Sequence, residues 1–347
     1  MSQRLLRDRP SERFGTLSVS ATPPGRVLVV GDVNTDIVFT GLPHLPRAEQ
    51  DTLARGLTIT VGGQAGTLAQ ALARLGVAVT FVGRVGDDEA GRRCADELAC
   101  SGVDVSGLVF DPTVPTGTTA VLSTGRERGF ATYPGAICAL RPSDVTDQLL
   151  AAAVHLHVGS YFLLTEMHPH MAELFRHARQ HGLTTSCDPG WDSFLDWNRG
   201  ILHVLDDVDV FLPNEVEAMQ ITGAPTVEDA LACLAVHAGT VAIKRGGRGA
   251  LARRGSETVA LPAFSVPVID VTSAGDIFNA GFLYAWLRNC DLADCLRFGS
   301  ACGALAVSRP SNLGMPTLAE VEAFLTAAGE EPVDPPAPPT RGVAIDG

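Results

Sequence analysis

Short apolar runs rich in β-branched residues alternate with helical patterns along most of this 347-residue chain. Arg26 to Val30, Ala78 to Val82, Val154 to Val158, Thr184 to Cys187, Val208 to Leu212 and Val241 to Lys244 read as buried strands. Helical patterns lie between them: one running to about Leu75 and stopped by Gly76, then about Asp87 to Cys100, Glu166 to Gln180, a stretch towards Leu205, and the span up to Ala238. Strand, helix and strand in succession close as parallel pairs with right-handed crossovers. The expected fold class is therefore α/β, a doubly wound, mostly parallel sheet with helices on both faces. Ala250 to Arg253 adds a strand beyond Arg245-Gly246-Gly247-Arg248-Gly249, and helices are expected at about 276–289, 291–307 and 317–327.

Two stretches depart from this rhythm. Thr118 to Ser123 and Phe130 to Tyr133 flank Thr124 to Gly129, a hairpin with a charged tip. Residues 37–60 alternate weakly and contain prolines. Together these segments predict a small β sheet standing off the main domain, placed to act as a lid. A sheet with free edges tends to find a partner, so the lid is where a homodimer would form. The layout is then a flexible leader over 1–25, one domain over 26–328 with lid segments about 37–60 and 116–133, and a disordered proline-rich tail over 329–347.

Composition narrows the function. A hydrophobic content of 46% with 19% charged residues excludes a disordered chain. A net charge of −13 argues against nucleic acid as the partner, because phosphate neutralisation needs clustered cations. No apolar run is long enough to cross a bilayer. Eight cysteines without a C-x-x-C pair fit a reduced, cytoplasmic protein, with Cys187, Cys233 and Cys302 as core residues. Neither G-x-G-x-x-G after the first strand nor G-x-x-x-x-G-K-[ST] occurs, which excludes a dinucleotide fingerprint and a P-loop. His155 and His157 share a strand face, but two imidazoles fall short of a zinc set. Trp191 and Trp197 read as packing.

The most informative stretch is Val268-Ile269-Asp270-Val271-Thr272-Ser273-Ala274-Gly275-Asp276-Ile277-Phe278-Asn279-Ala280-Gly281. An apolar run from Val266 to Ile269, broken by Pro267, reads as a strand; small residues follow, and then a helix. Small side chains leave the first N–H groups of that helix open, and an open helix start favours an anion. Asp276, in the first turn, could take a proton from an attacking hydroxyl beside a phosphoryl group held by those N–H groups. The competing reading is an ordinary capped helix, with Ser273 as cap.

Other candidates fall at the same place in the topology, where a strand ends: Asn34 and Asp36, Gly62 and Gly63, Asn214 and Glu217, and Gly246 to Gly249. In a doubly wound sheet such ends converge on one crevice. Asn34 and Asp36 could equally be turn residues. Asn214-x-x-Glu217 could place a carboxylate for Mg²⁺ or form an N-terminal capping box. Lys244 is the one lysine in the chain.

Taken together, the chain resembles the ribokinase-like sugar kinases, the phosphofructokinase-B type, over about residues 26 to 328. The resemblance rests on Asp270 to Asp276 with Asn279-Ala280-Gly281, on Val61-Gly62-Gly63 through Gly76 and Val82 to Asp88, and on Asn214-Glu215-Val216-Glu217. It implies an ATP-dependent, Mg²⁺-requiring kinase acting on a primary hydroxyl of a small sugar. Asp276 matches the base, and Ser273, Ala274 and Gly275 match the anion hole. Asn34, Asp36, Gly62 and Gly63 match sugar contacts, with Thr67 where an asparagine is usual. Asn214 and Glu217 match the Mg²⁺–phosphate site; Lys244, Gly246 and Gly249 border ATP, with Ser300 on the adenine side. Ser311-Asn312 replaces the usual Gly-Ala, which puts a bound monovalent cation in doubt. Tyr161 and Phe162 suggest an apolar wall, so a nucleoside kinase is the alternative; a catalytically silent sugar-binding regulator is the other.

Overall fold

The computed structural model describes residues 25–125, 127–197, 199–310 and 314–330. Residues 1–24 of the expected leader, Ser311-Asn312 and residues 331–347 of the expected tail lie outside the described residues.

The chain begins with β1 (Val27–Val30), β2 (Asn34–Thr40), β3 (Gly56–Gly62) and α1 (Gln64–Arg74). There follow β4 (Val79–Gly86), α2 (Glu89–Cys100), β5 (Asp104–Asp111), β6 (Thr118–Ser123) and β7 (Arg128–Tyr133). The middle holds α3 (Asp147–Ala151), β8 (His155–Val158), α4 (Met171–Gln180), β9 (Thr184–Cys187) and α5 (Ile201–Leu205). Then come β10 (Val210–Phe211), α6 (Glu215–Thr222), α7 (Val227–Leu234), β11 (Thr240–Lys244), β12 (Ala250–Arg254) and β13 (Glu257–Leu261). Three helices close the chain, α8 (Ala274–Trp286), α9 (Leu292–Val307) and α10 (Leu318–Glu330).

Nine strands form the main sheet in the order β13-β12-β11-β10-β9-β8-β1-β4-β5. It is parallel from β5 through β11, and β12 and β13 return antiparallel at one edge. Side chains alternate across such a sheet. Val27 and Val29 accordingly pack under α1, α8 and α9, whereas Leu28 and Val30 face the layer built from α4 to α7. Four strands in the order β3-β2-β6-β7 make a separate small sheet from the two irregular stretches, as expected.

Several local expectations need correction. The β-favouring run Val266 to Ile269 is not a strand. Val268, Ile269 and Val271 are 67%, 62% and 53% exposed, and the backbone N–H groups of Ile269 and Asp270 donate to the Val307 carbonyl at the end of α9. Two strands of the main sheet, β13 in the β12–β13 hairpin and β5 beside β4, were missed by the sequence reading. The helix expected from Glu166 begins at Met171, after short 3-10 turns at Tyr161–Leu163 and His168–His170. At the other end α10 continues through residues 329 and 330, where the tail was expected to begin. Trp197 is buried, but Trp191 is exposed and packs only edge-on against it.

Candidate active site

In a parallel sheet the carboxyl ends of the strands lie along one edge, and the polar residues expected there are brought to it. Asp32 follows β1, Ser160 follows β8, Asp188 follows β9, Asn214 follows β10, and Lys244 ends β11. Asn214 and Lys244 pair directly through a parallel bridge.

Lys244 is the centre of this edge. Its Nζ donates to Asp188 Oδ2 at 2.7 Å and to Asn279 Oδ1 at 3.1 Å, while Asn279 Nδ2 donates to the same Asp188 oxygen at 2.6 Å. Asn279 lies one helical turn beyond Asp276 and therefore on the same face of α8. A Cβ placed on Gly275 would lie 3.8 Å from Lys244 Nζ, so the ammonium stands over the first turn of that helix. Burial pushes the Asp276 carboxyl well above the usual carboxylate range; Asp188, Asp32 and Glu217 push the same way and Lys244 opposes them. Asp276 at the start of α8 therefore feels Asp32 at the end of β1, across the crevice.

The start of α8 is open. Ser273 adopts a left-handed conformation, φ 59° and ψ 2°, and its side chain makes no cap hydrogen bond. The capped-helix reading of this stretch therefore fails, and the first N–H groups of Ala274, Gly275 and Asp276 have no side-chain cap among the described residues. A left-handed conformation costs a serine roughly 1–2 kcal/mol, so the surrounding structure has to hold it. Asp270 does part of this: its Oδ1 accepts from the Thr272 N–H at 2.9 Å and from the Thr272 hydroxyl at 2.7 Å.

Asn34 and Asp36 lie within β2, so they are not turn residues. Asn34 pairs with Gly62 in register, and its Nδ2 donates to Asp36 Oδ1 at 2.7 Å and to Thr119 Oγ1 at 3.0 Å. Burial pushes the Asp36 carboxyl up to about 6, against the lowering effect of that amide and with Asp32 adding to the rise. Gly62 leaves room for this carboxylate, because a Cβ there would meet it at 2.2 Å and displace the Asp36 side chain. Gly63 has φ 93°, and a Cβ would meet the Asp32 carbonyl at 2.7 Å. Asp32 itself closes the start of α1, accepting from the Gln64 and Ala65 N–H groups at 3.0 Å each. Thr67 is buried one turn further along α1. Ser160 donates to Gln64 Oε1 at 2.8 Å and completes this end.

Asn214 and Glu217 do form the capping box: Asn214 N–H donates to Glu217 Oε2 at 2.7 Å and Glu217 N–H to Asn214 Oδ1 at 2.9 Å. The box leaves Glu217 buried with its carboxyl pushed up to about 8, by burial first and then by Asp188, against Lys244. Buried carboxylates thus outnumber the one ammonium here, a donor set that fits a hard divalent cation. The Gly246–Arg248 turn follows β11. Gly249, at φ 88°, is fixed by close packing, since a Cβ would lie 1.9 Å from the Leu261 carbonyl. Gly246 faces open space. On α9, Ser300 follows Gly299, whose missing side chain lets α9 close on Phe278 of α8. Its Oγ is buried without a hydrogen-bond partner among the described residues.

Tyr161 and Phe162 do not form an apolar wall: they are 0% and 2% exposed and belong to the core, with the Tyr161 hydroxyl donating to the Arg199 carbonyl at 3.2 Å. The strand histidines bond to hydroxyls, His155 to Thr184 and Ser186 and His157 to Ser186. Missed from the sequence were Asp188 and Asn279, although Asp188 obeys the same strand-end rule that found the others. Arg128 was also missed. It stands at the start of β7 in the small sheet and donates to Thr272 Oγ1 and Asp270 Oδ1, both at 2.5 Å, tying that sheet to the loop before α8. Contacts this distant in sequence carry no local signal.

The profile of the pfkB family carbohydrate kinases matches residues 25–317. An ATP-dependent ribose-1-phosphate kinase of Halopiger xanaduensis is 32% identical over 308 residues, covering 87% of this chain and 98% of its own. Fructokinase-1 of Zea mays is 31% identical over 321 residues, covering 86% and 97%. A putative ribokinase II from E. coli, solved in complex with ATP and Mg²⁺, shares the fold at a TM-score of 0.78 and 24% identity, covering 87% of this chain and 99% of that one. No helix among the described residues is long and apolar enough to cross a membrane. The chain belongs to the pfkB family of carbohydrate kinases, with a ribokinase-like fold and the activity of a phosphotransferase whose acceptor is an alcohol group.

Proposed function

We propose that this chain transfers the γ-phosphoryl group of ATP to the primary hydroxyl of a small, uncharged sugar, with Asp276 as base. The observation that carries the reading is the uncapped start of α8 beside an acid whose affinity for protons is raised by its surroundings. A carboxylate in that state is a better general base near neutral pH than one at the ordinary value. The N–H groups of Ser273, Ala274 and Gly275 are assigned to the transferring phosphoryl oxygens, where the helix dipole adds to their pull. Asn34, Asp36, Gly62, Gly63 and Thr67 are assigned to the sugar. The acidic and amide groups at that end suit hydroxyls and disfavour an anionic acceptor.

Asn214, Lys244, Gly246, Gly249 and Ser300 are assigned to ATP, with Glu217 as the residue that would hold Mg²⁺. The ion, when bound, neutralises charge on the transferring phosphates. Lys244 supplies a fixed positive charge on the protein side of the same region. Burial of Tyr161 and Phe162 removes one of the two features that had favoured a nucleoside, the other being Thr67 in place of an asparagine.

The kinase domain is taken as residues 26–328. Leu57, Ile59, Phe130 and Tyr133 are exposed on the small sheet, which supports its role as the face of a homodimer. A cytoplasmic location fits the eight unpaired cysteines.

The test is ADP release with Mg²⁺-ATP over ribose, fructose, 2-keto-3-deoxygluconate, ribose 1-phosphate, adenosine and inosine. An uncharged sugar is the expected substrate. Turnover of a nucleoside, of the phosphorylated sugar or of the anionic 2-keto-3-deoxygluconate alone would overturn the substrate reading. Asp276→Asn with an unchanged fold and most of its activity would overturn the base.

A further inference from the structure

At the opposite edge of the main sheet, where β8 and β9 begin, the structure gathers a second set of ligand-type side chains. Asp147 is the first residue of α3, which leads into β8; His177 and His181 lie at the end of α4, which leads into β9. The two histidines are four apart and so share one helical face. Both address the same oxygen, with His177 Nε2 at 3.3 Å and His181 Nε2 at 4.0 Å from Asp147 Oδ1. Their rings meet at 65° with centroids 4.9 Å apart.

A tetrahedral zinc ion with bonds of about 2.0–2.2 Å keeps its ligand atoms roughly 3.3–3.5 Å from one another. The three ligand atoms here lie within 4.8 Å of each other, and one pair is already at 3.3 Å. Asp147 is largely exposed and free to turn into place. An ion-pair account explains the cluster less well. It accounts for His177 at 3.3 Å but leaves His181 at 4.0 Å from the same oxygen, beyond hydrogen-bond reach, with its ring turned against that of His177.

We propose that Asp147, His177 and His181 form a binding site for a divalent transition metal of the zinc class, completed by water, which fastens α3 to α4. The five-residue α3 is too short to hold its own helical conformation, so a cross-link to the longer helix has something to stabilise. The site is separate from the kinase cleft and does not depend on the sugar kinase reading.

Zinc titration of chelator-treated full-length protein by calorimetry, with a parallel thermal melt, tests this. Saturable binding at one site and a raised Tm are expected. His177→Gln/His181→Gln should weaken that binding at least about tenfold and lose the Tm rise, with Mg²⁺-ATP turnover unchanged. The cysteines are identical in both proteins and so cancel from the comparison. No saturable binding by the wild-type chain, or less than tenfold weakening in the variant, overturns the proposal.

Discussion

Lys244→Met replaces the ammonium at the centre of the cleft by an apolar chain of similar length. The side chain is 13% exposed and its partner Asp188 is 2% exposed, at a separation of 2.7 Å. Removing one partner from a buried pair leaves the other charge uncompensated, which costs about 3–5 kcal/mol. Asp188 would keep only the Asn279 amide and the Gly190 N–H, while Glu217 and Asp276 would lose the group that holds their pKa values down. With a urea m-value of about 3 kcal/mol/M, the unfolding midpoint should fall by roughly 1–1.7 M. Adding Asp188→Asn should recover much of this loss, giving a coupling of about 2 kcal/mol or more in the double-mutant cycle. The activity of Lys244→Met should also move its acid limb to higher pH, because the Asp276 carboxyl then rises further. A single variant within about 1 kcal/mol of wild type, or a cycle additive within about 0.5 kcal/mol, would refute the charge-balance reasoning.

Asp276→Asn should lower kcat by roughly 10²- to 10⁴-fold at an unchanged melting temperature, the range for loss of a general base, as read by coupled ADP assay. Burial lowers His155 to about 3 and His157 to about 4, so below the unfolded value near 6.5 the unfolded chain takes up protons that the folded chain refuses. Stability should therefore fall as pH drops from about 6.5 towards 4, by up to about 1.4 kcal/mol per pH unit for each histidine. His155→Gln/His157→Gln should flatten that slope in urea melts, and an unchanged slope would exclude the pair as its cause. Arg128→Ala should raise the sugar KM and the sugar-independent ATPase together, because it cuts the tie between the small sheet and the loop before α8. A change in neither would make that contact incidental. Gly62→Ala drives a methyl into the Asp36 carboxylate and should raise the sugar KM while sparing the KM for ATP.

What the sequence carried and what it withheld divide along a physical line. Asn214 and Lys244 were legible because each stands at a strand end, and a βα rhythm fixes which end of the sheet those positions share; Asp276 was legible from the small residues that open α8, and Gly62-Gly63 from the paired glycines before α1. The same rule pointed at Asp188, yet a lone Asp-Pro looks like a turn until Lys244, 56 positions later, is seen to reach it. Val268 to Val271 misled for the converse reason. Local preference for extended backbone does not decide pairing, and here the Ile269 and Asp270 N–H groups donate to the Val307 carbonyl at the end of α9 instead. Tyr161 and Phe162 followed a strand end too, but their bulk finds a void in the core, and placement at the cleft depends on which way a side chain turns as much as on where it is anchored. The strand-end rule thus selects positions, and charge then selects among them. Carboxylates and one ammonium gathered at a single edge are costly to bury, so that edge is singled out by electrostatics as well as by position, and the uncapped start of α8 lies beside it.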